Sequence, residues 1–346
     1  MTSEASAQLV FLLNPIIRWL EDPETEEIAV NGPGEVFVRQ RGRFSRHEIE
    51  FDYDTLEDIA ILAGALRRQD VGPQSPLCST ELPNGERLQI CLPPAVPSGT
   101  VSLTIRRPGT QVSAIAGVNG RYVTGRWNQW QNRQESRKSR EDEVLALYEE
   151  GDLEAFLAAC VRNRMTILLC GATGSGKTTM SKTLIDAIPR EERLVTIEDT
   201  LELVVPHANH VRLLYSKNGI GLGGVTPESL LQASLRMRPD RVLLGEMRDD
   251  AAWTYLNEVV SGHPGSISTI HGADPVQAFK KLVTLVKGSP QGASMEDKVL
   301  VQMLSAAIDV IVPFQSGGAT YEVGEVWLAA DARRRGESIA TLIADS

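Results

Sequence analysis

Residues 166–188 read TILLC, GATGSGKT and TMSKTLIDAI in succession, and the middle segment decides the fold. Gly171 to Thr178 satisfies G-x-x-x-x-G-K-[ST] at every required position. The apolar run before it reads as a strand and the pattern after it as a helix, the setting this motif needs. Glycines let backbone N–H groups curl around phosphates, and the helix N-terminus adds the positive end of its dipole. Gly171, Ala172, Thr173, Gly174, Ser175, Gly176, Lys177, Thr178 and Thr179 are therefore read as the phosphate site. Lys177 is placed on the β/γ-phosphates and the Thr178 hydroxyl on Mg²⁺.

Downstream of this loop, helical and strand patterns alternate to the end of the chain, the signature of an α/β domain with a mostly parallel sheet. That domain is expected over 141–346. Triphosphate hydrolysis needs one carboxylate to orient water and one to help hold Mg²⁺, at the ends of neighbouring strands. LVTIE ends in Glu198, with Asp199 and Glu202 close behind, and RVLLG is followed by Glu246. Glycine stands at 245, where the aspartate of a Walker B strand is usual. His271 follows the strand SISTI, on the side where open α/β sheets bind ligands. His207 and His210 have no acid or Cys partner at ligand spacing and are read as surface residues. The stretch GIGLGG at 219–224 fits a loose G-x-G-x-x-G, but no acid follows in the expected setting, so it is read as a mobile loop.

Residues 1–118 read as a small α+β unit. It has a helical pattern over 8–21, three short strands between 26 and 51, a helix over 55–70, and three more strands up to 107. Arginines crowd at Arg87, Arg106 and Arg107, and again at Arg236, Arg238 and Arg241. A basic group from outside the P-loop domain can neutralise charge developing on a γ-phosphate; the plainer reading is solvated strand-edge charge. Residues 119–140 are read as a basic linker, because RWNQWQNRQESRKSR carries five basic residues, one acid and almost no aliphatic side chain.

The chain has 346 residues, with 35 Lys and Arg against 45 Asp and Glu, a net charge of −10. That balance opposes a protein that coats nucleic acid, whose affinity rests on neutralising phosphates. The four cysteines lack a CxxC spacing, which suits a reducing compartment. The stretch AQLVFLLNPIIRWL is broken by Asn14 and Pro15 and is too short to span a bilayer. A cytoplasmic protein that could still dock on a membrane complex is expected.

Four boxes occur in a specific order: Gly171–Thr178, the acidic TIEDTLE at 196–202, RVLLGEMR at 241–248, and GHPGSISTIH at 262–271. In this order the chain resembles the secretion ATPase superfamily, over about residues 25–118 and 150–330. RMRPDRVLLGEMRD, together with NGER and SLTIRRP in the N-terminal unit, is most similar to the virulence- and conjugation-type ATPases of type IV secretion. The four-cysteine zinc insertion typical of type II members has no counterpart here. The resemblance implies a RecA-like P-loop domain preceded by a PAS-like α+β domain, working as a homohexamer on ATP and Mg²⁺ beside other secretion ATPases and inner-membrane components. It implies Glu246 as the base, and Glu198 and Glu202 in support of metal or water. It also implies His271 as a nucleotide-state sensor, and Arg87 and Arg106 as N-terminal arginines that approach the phosphates. Two other functions stay open on the residues alone. One is a nucleic-acid motor of helicase or packaging type, suggested by Trp127 and Trp130 in the basic stretch, although no stable nucleic-acid complex is expected. The other is a nucleotide-binding scaffold without turnover, which the intact Lys177, Thr178 and Glu246 oppose.

Overall fold

The computed structural model describes residues 2–108, 133–216, 222–248, 251–259, 262–318, 320–337, 339 and 343. Helix α1 (Thr2–Leu12) ends before a 3₁₀ turn at Asn14–Ile16, and α2 (Ile17–Glu21) follows. The single helix expected over 8–21 is thus two. Pro15 has no N–H to give and its ring clashes with the preceding turn, so the helix stops there.

An antiparallel sheet forms next from β1 (Thr25–Val30), β2 (Glu35–Gln40), β3 (Arg43–Glu48), β4 (Leu77–Glu81), β5 (Arg87–Cys91) and β6 (Ser102–Arg106). Its order is β3-β2-β1-β6-β5-β4. The two-residue turn Arg41-Gly42 has both residues at positive φ, the geometry whose twist matches a hairpin. Helix α3 (Tyr53–Leu66) is capped by Asp52, which accepts from the Thr55 N–H. It buries Leu56, Ile59, Ala60 and Ala63 against the sheet, in a core that also holds Ile28, Val36, Ile90 and Ile105.

The second sheet is built from β7 (Ile167–Gly171), β8 (Leu194–Glu198), β9 (His210–Leu214), β10 (Arg241–Leu244), β11 (Ile267–Ile270), β12 (Val310–Ser316), β13 (Tyr321–Val323) and β14 (Trp327–Leu328). Its order is β13-β12-β7-β11-β10-β8-β9, with β14 paired to β12. The pairs from β12 to β9 are all parallel. Side chains alternate between two cores. Leu168, Cys170, Ile197, Leu244 and Ile270 face one; Ile167, Leu169, Leu194, Leu243 and Val312 face the other.

Helix α4 (Arg133–Glu150), followed by α5 (Leu153–Arg162), contains residues 133–140, expected as the end of the linker. Gln, Glu, Lys and Arg are good helix formers, and a packed C-terminal half carries them; a missing apolar face does not by itself unwind a helix. Tyr148 of α4 donates to the Val326 carbonyl at 3.0 Å, and Val144 is fully buried. The rest of the expected linker, with Trp127 and Trp130, lies outside the described residues.

The two units dock. Cys91, Ala95 and Val96 of the first sit in a core of the second. The Leu214 N–H donates to the Ala95 carbonyl at 2.8 Å. Arg193, wholly buried, donates to Asn31 Oδ1 at 2.8 Å, to Thr104 Oγ1 at 3.3 Å and to the Met237 carbonyl at 2.8 Å, and also bonds Asn209. The glycine-rich loop joins this seam. Gly223, at φ +85°, approaches Pro73 and Pro76 so closely that a Cβ there would lie 2.6 Å from Pro76 Cδ. Leu222–Gly224 is thus a docked turn, while 217–221 lie outside the described residues.

Candidate functional site

Every strand that carries a box ends at the same edge of the sheet. Gly171 closes β7, Glu198 closes β8, Glu246 follows β10 and His271 follows β11. Parallel pairing makes this so, since the registers Leu244↔Ile197 and Ile270↔Cys170 put like ends side by side.

Helix α6 (Lys177–Asp186) starts directly from the loop, with Gly176 as its N-cap at φ +94°. The Lys177 ammonium is buried and donates to the carbonyls of Gly171 at 2.8 Å and Ala172 at 2.6 Å. Burial pulls its pKa below the ordinary lysine value; the Glu246 charge opposes that shift. Ser175 Oγ, inside the loop, is buried without a hydrogen-bond partner.

Beside the loop is a pocket of about 90 Å³ lined by Thr178, Ser181, Glu198, Asp199, Glu202 and Glu246, among others. The two strand-end glutamates differ sharply there. Glu198 is committed. Its Oε2 accepts from the N–H groups of Glu202 at 2.9 Å and Leu203 at 2.7 Å, and its Oε1 from Thr196 Oγ1 at 2.9 Å. Arg212 of β9 donates to the same carboxylate at 3.0 Å. Glu246 is less committed: Oε2 bonds Arg248, whereas Oε1 is buried with no hydrogen-bond partner. His271 Nε2 lies 3.0 Å from that oxygen. Arg248 Nη1 lies 3.5 Å from Asp199 Oδ2, so it spans both acidic boxes. Glu202 is exposed at the rim.

The Ser181 hydroxyl and Glu246 Oε1 are in no hydrogen bond and belong to residues lining an acidic pocket beside Thr178, a donor set that fits a hydrated Mg²⁺. Among the described residues no group of three His, Cys, Asp or Glu could hold a metal alone.

Arg87 and Arg106 are elsewhere. They line an interdomain cavity of about 590 Å³ with Glu27, Arg67, Arg236 and Arg238. Register sets Glu27 against Arg106, Arg106 against Arg87, and Arg87 against Glu81, so two like charges face each other in the middle of the row. Glu27 is nearly buried; Arg106 Nε is 3.8 Å away.

Several residues took places the sequence reading did not give them. His207 is buried, not on the surface: its Nε2 meets the carbonyls of Ile188 and Pro189 at 3.1 Å, and burial lowers its pKa. His210 is half-buried and meets the His207 carbonyl. Arg241 is fully buried and forks onto Glu192 at 2.8 and 2.9 Å. Arg212, Arg248 and Ser181 were passed over; Arg248 was legible in part, two residues after Glu246 in the box itself.

A family model described as "Type II/IV secretion system protein" matches residues 12–315. The chain is 70% identical over 340 residues to Protein VirB11 of Rhizobium radiobacter, covering 98% of this chain and 99% of that one. It is 37% identical over 336 residues to the type IV secretion system protein VirB11 of Bartonella quintana, with 94% of each chain covered. The crystal structure of the VirB11 ATPase from the Brucella suis type IV secretion system, in complex with sulphate, superposes with a TM-score of 0.88 at 33% identity. That match covers 98% of this chain and 99% of the other.

Proposed function

The chain belongs to the type II/IV secretion system protein family, as an ATPase that energises a type IV secretion system, and from this premise we propose how its residues hydrolyse ATP. The backbone of Gly171–Gly176 and the N-terminus of α6 hold the phosphates, and Lys177 leaves its two loop carbonyls to pair the β/γ oxygens. Mg²⁺ would be held by Thr178, and through water by Glu246 and Asp199, where it supplies charge neutralisation to the phosphates. Glu246 accepts the proton of the attacking water at Oε1, the carboxylate oxygen that accepts no protein hydrogen bond. Arg248 fixes the carboxylate through Oε2, and His271 stands against Oε1 where it can register whether a γ-phosphate is present. Glu198 braces the acidic loop, and Glu202 sits at the pocket rim.

The observation that carries this assignment is the contrast between a Glu246 oxygen that accepts no hydrogen bond, with His271 beside it, and a saturated Glu198. Glu246→Gln should keep ATP binding within a few-fold and slow turnover at least ~100-fold, the lower end for a general base. A larger turnover loss in Glu198→Gln, with binding kept, moves the base to the acidic box.

The working form we infer is a homohexamer, docked at the inner membrane on other secretion ATPases and membrane components. Among the described residues no helix is long and apolar enough to cross a membrane, so such docking runs through protein or lipid-surface contacts. The relatives on which this reading stands are secretion proteins, and nothing observed favours the nucleic-acid motor.

A further inference from the structure

The phosphate site leaves the rest of a nucleotide without a partner. Its pocket of about 90 Å³ is lined by hydroxyls and carboxylates, far below the volume a ligand of nucleoside size occupies. Direction narrows the search. The acids lie on β8 and after β10, to one side of β7 in the sheet order, with β12 and β13 to the other. A triphosphate whose γ end faces Glu246 therefore carries its α-phosphate and nucleoside toward the β12–β13 hairpin.

Tyr321 stands there. It pairs with Ser316, as Val323 pairs with Phe314, so it continues the column of Val312 and Phe314 on the α6 face of the sheet. Phe314 in turn is opposite Gly171 of the loop. The column is buried up to Phe314, then passes the end of β7 and emerges at Tyr321, which is 56% exposed. The ring lies against the loop itself. A Cβ on Gly176 would fall 2.7 Å from Tyr321 Cγ and 2.9 Å from both Cδ atoms, a point over the ring face and not its edge. Gly176 is thus held glycine twice, by its φ of +94° and by the tyrosine. One face of the ring rests on the loop, and the remainder is open. Tyr321 belongs to none of the three hydrophobic cores, so packing alone gives no reason for an aromatic side chain here.

We propose that Tyr321 is the stacking platform for the base of the nucleoside triphosphate, a binding and specificity residue at the opposite end of the site from Glu246. This rests on the P-loop reading above. An aromatic face offers every base a π-contact that phosphate-binding groups cannot supply.

The test measures equilibrium dissociation constants of the full-length protein for Mg·ATP and for Mg·tripolyphosphate, which has the phosphates but no base. Tyr321→Ala should weaken ATP binding roughly tenfold, within the range for loss of one base–aromatic stack, and change tripolyphosphate binding less than about twofold. Tyr321→Phe should bind ATP as wild type does. Equal loss of both ligands would make the ring a prop for the loop. Unchanged or tighter ATP binding would place the base elsewhere. A Phe variant as weak as the Ala variant would shift the contact to the hydroxyl. Each of these overturns the proposal while leaving the phosphate site standing. Lys177→Ala is the separate control: if it binds ATP undiminished, the phosphate site is wrong and the platform falls with it.

Discussion

At the scale of single residues, environment separates groups that sequence makes equivalent. Glu198 and Glu246 both stand at the ends of apolar stretches, and residue type and position alone leave them equivalent; only the resemblance singles out Glu246. The difference comes from Arg212 on β9 and from the amides of 202 and 203, which saturate one carboxylate and not the other. Glu27 is a stronger case. In the run TEEIAV it reads as one of two adjacent acids, yet it faces inward on β1 and burial pushes its pKa up to about 7, against the pull of Arg106, Arg238 and Arg193. The sign follows from proton counts. Between its ordinary value of 4.5 and about 7, the folded protein keeps a proton that the unfolded chain has released. Stability then falls as pH rises through that window. Glu27→Gln removes the titration. Its melting temperature relative to wild type should be near parity at pH 5 and higher by pH 8, with a gain on the order of 2 kcal/mol. A difference that does not vary with pH would mean the carboxyl is ionised throughout.

At the scale of elements, the strands were legible because period-2 burial is written in the apolar pattern, and the P-loop helix because its motif fixes its start. The acidic loop after β8 was not. TIEDTLE reads as a cluster of catalytic acids, but its shape depends on Glu198 turning back to accept from Glu202 and Leu203 while Arg212 reaches in from the next strand. These are contacts between chain segments that composition cannot pair. Glu198→Gln tests the element rather than the chemistry. The amide puts an N–H₂ where either two backbone donors or an arginine need an acceptor, and a buried donor left without an acceptor costs about 1–3 kcal/mol. We expect a clear drop in melting temperature, with a smaller loss in kcat than Glu246→Gln shows. A stable Glu198→Gln protein with lost turnover would reverse the two roles.

At the scale of the whole molecule, the expected active-site parts separate into two cavities. Among the described residues, no side chain of the N-terminal unit lines the P-loop pocket, and no residue of 171–179 lines the arginine cavity. The Arg193 seam then holds the two units in a fixed relation. Arg87 directly opposite Arg106 is unfavourable across a sheet unless an anion meets them. Arg67, Arg236 and Arg238 line the same cavity against only Glu27 and Glu81, so it is poised for negative charge. Sequence reading brought the arginines to phosphate by resemblance but could not say whose phosphate. Because they line a cavity apart from their own P-loop, the phosphate of a neighbouring subunit is the expected target. Mixing decides the matter. A Lys177→Ala chain and an Arg106→Ala chain, each inactive alone, are combined under conditions where labelled subunits exchange. A shared site needs an intact lysine from one chain and an intact arginine from its neighbour. In a random one-to-one ring both conditions hold at about a quarter of sites, so up to about a quarter of wild-type turnover should return. If exchange is demonstrated and turnover stays at the level of the single variants, Arg106 serves the P-loop of its own chain, and the domains must then reopen at the Arg193 seam to bring it there.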